Sequence, residues 1–451
     1  MTPKPGAACR TGRGPRSLAA AAAAALLLSG CSGWFGDDEP PPLPGTRIAV
    51  LDLARGLEPD PALAAVPVSL PPPSAVAEWT QPGGTPSHLV GHPALSATPS
   101  VAWRASIGSG SGGGRALLAQ PVVAGGRVFA MDSDYRVTAL DAATGRAAWS
   151  ASAFPADESG AARGGGLAVA GGRVFATTGF GEAMAFDAAT GAQAWRRRLP
   201  GPARSAPTAV DGRVFATTLD NQAVALDAAT GEVIWSHTGI FETAGLLGGA
   251  APAVGAGVAV LPFSSGDLVA LRVENGRTVW TDSLTGVRRG AALSQLADIV
   301  GHPVIADGLV VAVGHGGRMA AVEPRTGGRA WELELGGVQT PWVAGDAVFV
   351  VTTGARLVAL TLREGRVRWT TQLAAYADPE RRGDRIAWAG PVLAGGRLWL
   401  ANTRSELVAV DPETGDVLSS QPLPGPVAIQ PAVAGGTMYV LTDGGELVAL
   451  R

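Results

Sequence analysis

An acid, a hydroxyl and an indole recur in this chain in fixed phase. Within Asp227-Ala-Ala-Thr-Gly-Glu-Val-Ile-Trp235, Asp227 and Thr230 offer oxygens that could ligate a cation, and Trp235 supplies an aromatic wall. Copies return at intervals of about 40 to 50 residues, so any such site would be a recurring one. The 5 histidines, His88, His92, His237, His302 and His315, are the other candidate metal ligands, but no spacing puts two of them on one ion. His88 and His92 come nearest, and Pro93 and a loop-like context argue against them. No Gly-x-Ser-x-Gly stands between a strand and a helix, and the glycine-rich run 108–114 lacks the Gly-Lys-Ser/Thr ending of a phosphate cradle.

The copies show what the acid is for. Complete units cover 121–149, 169–195, 210–235, 254–280, 305–331, 343–369 and 393–419. Gly145, Gly191, Gly231, Gly276, Gly327, Gly365 and Gly415 hold one turn position throughout, because that turn needs a left-handed residue. The acid varies: Asp141, Asp187, Asp227, Glu323 and Asp411 alternate with Arg272 and Thr361, which suits a turn-capping group and not a cation ligand. The Trp eight residues after the acid is kept in all complete units but the last, where Ser419 stands, and its fixed phase suggests packing between neighbouring units.

Each unit reads as four short strands. In the first, Gly125-Gly126 makes a tight hairpin between β-branched and aromatic runs, and Asp141 to Gly145 makes a second turn. The last unit, 431–450, ends before its fourth strand, whereas a lone fourth strand with its own Trp103 precedes the first unit. Joining the two closes a ring and removes two open sheet edges. The expected fold is therefore all-β: an eight-bladed β-propeller of four-stranded antiparallel blades, closed by an N-terminal strand that completes the last blade. Pro121, Pro207, Pro252, Pro303, Pro341, Pro391 and Pro431 should each precede a first strand, where a missing N–H does no harm, and the first strands, rich in Ala, Gly and Val, should line the channel.

Of the 451 residues 16% are charged and the formal net charge is −3, with no basic stripe, which excludes the electrostatic footprint of a nucleic-acid binder. Lys4, Arg10, Arg13 and Arg16 followed by an apolar run over 18–28 read as a secretory signal peptide, too short to span a bilayer comfortably. The expected organisation is a lipoprotein signal peptide over 1–30, a lipid-anchored tether and N-terminal extension over 31–100, and the propeller over 101–451. Thr46 to Leu53 could form a short strand, and the prolines of 59–73 suggest extended chain lying on the body.

Leu28-Ser-Gly-Cys31 resembles the bacterial lipobox, which implies cleavage before Cys31 and its acylation. Cys9 would leave with the signal, so no disulfide framework is possible. Several acyl chains at about 0.8 kcal/mol per buried CH₂ make a stable anchor. By the same resemblance Ser32, where inner-membrane retention typically needs Asp, favours the outer membrane and its periplasmic face.

The Ala-x-Asp-x-x-Thr-Gly-x-x-x-Trp repeat resembles the PQQ-like repeat of quinoprotein-type propellers, a group of enzymes and non-enzymes. With the lipobox, eight units and Leu43-Pro-Gly-Thr-Arg-Ile48, the chain resembles the BamB family of outer-membrane lipoproteins. That resemblance implies a non-catalytic scaffold without a cofactor. Its partners would be the periplasmic domains of a BamA-like barrel protein and nascent outer-membrane proteins. It places the partner contact at Leu246 and Leu247 as apolar anchors and at Asp298 as a charged partner for a basic residue; Gln295 stands where the family commonly has Arg. The alternative is that both leucines fill space under a loop and Asp298 caps a turn. Arg288 and Arg289, in the long connection after Trp280, are candidate rim contacts, with plain solvation as the alternative.

A pyrroloquinoline-quinone dehydrogenase is the enzymatic rival. By resemblance it would need a cation held by oxygens, an Asp base and often adjacent cysteines. Adjacent cysteines are absent and the carboxylates sit at turn positions. A third reading is a propeller that takes another periplasmic protein at its blade edges, or a glycan in its channel, though Ala and Val on the first strands suit a sugar poorly.

Overall fold

A computed structural model describes residues 57–243, 245–286 and 297–451. Eight four-stranded antiparallel sheets stand in a ring, seven of them built from consecutive strands over 122–152, 165–198, 208–238, 253–283, 304–333, 342–372 and 388–422. The eighth takes its three inner strands from Ala432–Ala434, Thr437–Leu441 and Glu446–Leu450, and its outermost strand from Val101–Ser106. Trp103 lies opposite Ala449 and Ser106 opposite Glu446, so the strand Val101–Ser106 and the last strand of the chain lock the ring. We number these blades 1 to 8 in the order given. An added hairpin, Tyr376–Asp378 with Gly383–Arg385, sits between blades 6 and 7.

Local chemistry sets the blade. In blade 1 the first hairpin turns through Gly125 and Gly126 at φ 57° and 73°, the paired positive values that a two-residue hairpin matching the strand twist requires. Six of the seven prolines directly precede a first strand, as expected. Pro391 differs: it lies inside the strand Trp388–Ala394, where the register shifts between Ala389 and Val392 and no ladder bond is needed from it.

Blades are joined by a repeated clasp. The indole Nε1 of each outer-strand Trp donates to a carbonyl at the second turn of the next blade: Trp149 to Ala188, Trp195 to Ala228, Trp235 to Val273, Trp280 to Pro324, Trp331 to Leu362 and Trp369 to Pro412, at 2.8–3.1 Å. Its ring lies on the turn glycine. A Cβ on Gly327, which has φ 76°, would stand 2.6 Å from Trp280, so glycine is required twice over, by conformation and by contact. Trp103 does the same from blade 8 to blade 1, donating to Ala142 and covering Gly145. Ser419 follows from this geometry. The blade after it is blade 8, whose third and fourth strands come from opposite ends of the chain, so no turn exists there for a Trp to clasp.

The turn acids do what their variation suggested. Asp227 Oδ1 accepts from the Ala229 and Thr230 amides and from the Thr230 hydroxyl, and Asp141 and Asp187 repeat the pattern. These hydrogen bonds hold all three carboxyls below their ordinary pKa.

Inner strands leave backbone groups facing the channel, and residues 76–95 satisfy them at the end that carries the first hairpins. Val76 O accepts from Gly435 N, Trp79 exchanges two bonds with Val123, and Thr80 O accepts from Val169 N. The Gln81 side chain pairs with both backbone groups of Ala209. Pro86 O and Ser87 O accept from Val254 N and Ile305 N, Gly91 O accepts from Trp342 Nε1, and Pro93 O and His92 Nε2 accept from Gly395 N and Gly396 N. One short segment thus touches all eight blades, with Trp79 fully buried beside Trp342. Residues 59–73 lie farther out along blade 6, where Asp60 N donates to Val367 O and Ser69 N to Asp346.

Candidate partner face and channel mouth

The links that enter the first strands gather at the opposite end of the channel. The link from blade 3 to blade 4 presents Ile240, Phe241 and Leu247 with 62%, 65% and 52% of their surfaces exposed, while Leu246 is half-buried. Leu246 and Leu247 therefore differ: the first packs inward and the second is free to meet a partner. Ile240 and Phe241 escaped the reading of the sequence. Their signal is two large apolar residues following Gly239, just beyond the end of a fourth strand at Thr238.

Asp298 requires a correction. It is fully buried, and its carboxylate is ion-paired with Arg204 from the link between blades 2 and 3; both side chains are 1% exposed. Its other oxygen accepts from Leu246 N at 2.7 Å, and its own carbonyl accepts from His315 N. Asp298 is thus satisfied within the chain and cannot offer a charge to a partner from this position. It ties together three links and fixes the path on which Leu247 is displayed. Burial lowers the Arg204 pKa, and Asp298 opposes that shift. Arg288, Arg289, Gln295 and the lipidation candidate Cys31 lie outside the described residues.

The histidines show a pairing that spacing along the chain does not. Sequence spacing leaves all five isolated, yet the fold brings His88, from the segment that crosses the channel, to a ring-centroid distance of 4.9 Å from His302. His88 Nδ1 donates to Pro303 O, and burial pushes its pKa down to about 4. His302 Nδ1 accepts from Ala251 N, which leaves the proton on Nε2, and its pKa is held well below 6.5 by burial and then by His88. Both rings are neutral near pH 7. Among the described residues no three His, Cys, Asp or Glu side chains stand where they could hold one metal ion.

Between these links lies a cavity of about 440 Å³, lined in part by Pro82 of the segment that crosses the channel. Leu118, Leu246, Leu247, Val338 and Ile429 contribute its apolar wall, and Gln120, Gln339, Gln430, Thr340 and His302 its polar one. Gln120 is fully engaged, accepting from Trp79 Nε1 and Gly83 N and donating to Gln430 O.

Among the described residues no helix is long and apolar enough to cross a bilayer. Among solved structures the chain resembles BamB from Moraxella catarrhalis, with TM-score 0.67, 19% identity and coverage of 78% of this chain and 100% of that one. It also resembles the quinohemoprotein alcohol dehydrogenase of Comamonas testosteroni, with TM-score 0.65, 14% identity and coverage of 88% and 83%. At such identities both show the propeller fold alone. A curated relative, outer membrane protein assembly factor BamB of Yersinia pestis, is 33% identical over 93 residues, which are 21% of this chain and 24% of that protein. The match thus spans about a quarter of that relative's length. A protein family described as outer membrane protein assembly factor BamB matches residues 94–163, 156–371 and 377–451. With most of the propeller inside those matches, the chain belongs to the BamB family.

Proposed function

We propose that the chain is a non-catalytic scaffold subunit of an outer-membrane β-barrel assembly complex. In this reading residues 1–30 are a signal peptide, Cys31 carries the lipid that holds the protein on the periplasmic face of the outer membrane, 31–100 form tether and N-terminal extension, and 101–451 form the propeller. The face built from the links around blade 4 binds the periplasmic domains of a BamA-like barrel protein, and the complex assists insertion of nascent outer-membrane proteins. The observation that carries this reading is the exposure of Ile240, Phe241 and Leu247 together on one link of a BamB-family propeller. Large apolar residues clustered at a surface mark an interaction site more often than scattered ones do. Arg288 and Arg289 belong to the neighbouring link and are proposed as its charged rim.

The likeness to a quinohemoprotein dehydrogenase is one of fold, and the recurring carboxylates are engaged in turns. The test is affinity purification of the full chain from detergent-solubilised membranes, with its co-purifying proteins identified. A BamA-like barrel protein is expected, and Leu247→Asp or Phe241→Asp should deplete it at unchanged thermal stability. Absence of any such barrel protein from the wild-type preparation overturns the reading.

A further inference from the structure

We infer that the channel mouth is a binding site for one short, uncharged, apolar segment of an extended client polypeptide, adjoining the link proposed to meet the partner at Leu246 and Leu247 but set apart from its exposed Ile240 and Phe241. Residues 76–95 bond to an inner strand or first hairpin of every one of the eight blades at one end of the channel, and Pro82 of that segment lines the cavity, so the segment obstructs a chain threading through. About 440 Å³ falls within the range of about 300–1,000 Å³ typical of small-ligand sites, room for a few residues and far too little for a folded domain.

Charge selects the occupant. Among the described lining residues Arg204 is the one charged side chain, and Asp298 neutralises it within the wall. A charged ligand would lose its hydration there without gaining a counter-ion. The remaining polar groups match a peptide backbone. Among the described residues the His302 Nε2–H is left unused by the bond from Ala251, the Gln339 side chain makes no hydrogen bond, and Gln430 uses its amide nitrogen on Pro391 while its oxygen has no partner. Donors and acceptors spaced among leucines suit alternating N–H and C=O groups, whereas a lipid acyl chain would leave all of them unpaired. The site has no feature that would read a particular side chain, which suits a client of varied sequence. The inference rests on the assembly-factor reading only for the source of that segment.

The experiment uses the full chain in lipid nanodiscs and a capped peptide labelled on a terminal lysine, acetyl-Gly-Val-Leu-Val-Phe-Gly-Lys(fluorescein)-amide, followed by anisotropy. Wild type should bind it saturably, with an affinity in the range of roughly 1–100 μM. Ala428→Trp and Val338→Trp fill the cavity from partly exposed positions and should each weaken binding at least about tenfold, with thermal stability kept. Gln339→Leu preserves shape, has no intrachain bond to lose, and should weaken peptide binding severalfold without affecting fluorescent dodecanoate. Unchanged peptide affinity in both Trp variants overturns the inference, as does tighter binding of dodecanoate than of the peptide, or no binding by wild type. Co-purification of the barrel protein should persist in Ala428→Trp, whereas Phe241→Asp should lose the barrel protein and keep the peptide, so the two readings fail separately.

Discussion

Removing Asp298 would leave the Arg204 guanidinium buried without its counter-ion, and replacing Asp298 by Arg would set two cations side by side. Breaking a buried pair typically costs about 3–5 kcal/mol, so Asp298→Ala and Asp298→Arg should both lower stability by that order in denaturant titrations. Leu247→Asp, at an exposed position, should change it by no more than about 0.5 kcal/mol. His88 gives a second expectation. An unfolded chain protonates histidine near pH 6.5, whereas folded His88 does so only near 4, facing neutral His302 and no acid that pairs with it. The unfolded state therefore takes up the proton first as pH falls: the contribution is complete above about 6.5 and is lost between 6.5 and about 4, by up to about 3 kcal/mol. His88→Gln should flatten the pH dependence of melting temperature in that window.

At the scale of the element, the unit is a blade together with the clasp it places on the next. Trp280 is 7% exposed and bonded to Pro324, so Trp280→Ala should cost about 3–5 kcal/mol by chemical denaturation. Gly327→Ala, which forces a left-handed alanine into the same indole, should cost roughly 2–4 kcal/mol. Ser419→Trp is the informative reverse: it restores the repeat pattern where the neighbouring blade has no second turn, and should not stabilise the protein. A gain of more than about 1 kcal/mol would contradict the clasp account. The repeat alone made Ser419 look like a tolerated loss, because a sequence shows which residue is missing but not which contact partner is missing with it.

For the whole molecule, closure has two parts. The strand Val101–Ser106 completes the outer ring, and residues 76–95 close the inner one by pairing backbone groups that would otherwise face an open channel. Trp79→Ala should loosen the second closure first, accelerating hydrogen exchange at Val123, Val169 and Val254 while the outer strands stay protected, a pattern that mass spectrometry of exchanged peptides resolves.

Blade number, strand order, turn chemistry and ring closure were all legible in the sequence, because each depends on contacts within one repeat or on a pattern repeated often enough to be seen. The roles of Asp141 and Asp227 were legible for the same reason: their partners lie two and three residues away. Three matters were decided only by tertiary structure. Asp298 meets Arg204 across 94 residues, His88 meets His302, and the segment 76–95 meets all eight blades. None of these belongs to the repeat, and no local spacing encodes them. They exist because a closed ring converges its links and inner strands on one axis, where residues distant in sequence become neighbours and must satisfy one another's charges and hydrogen bonds.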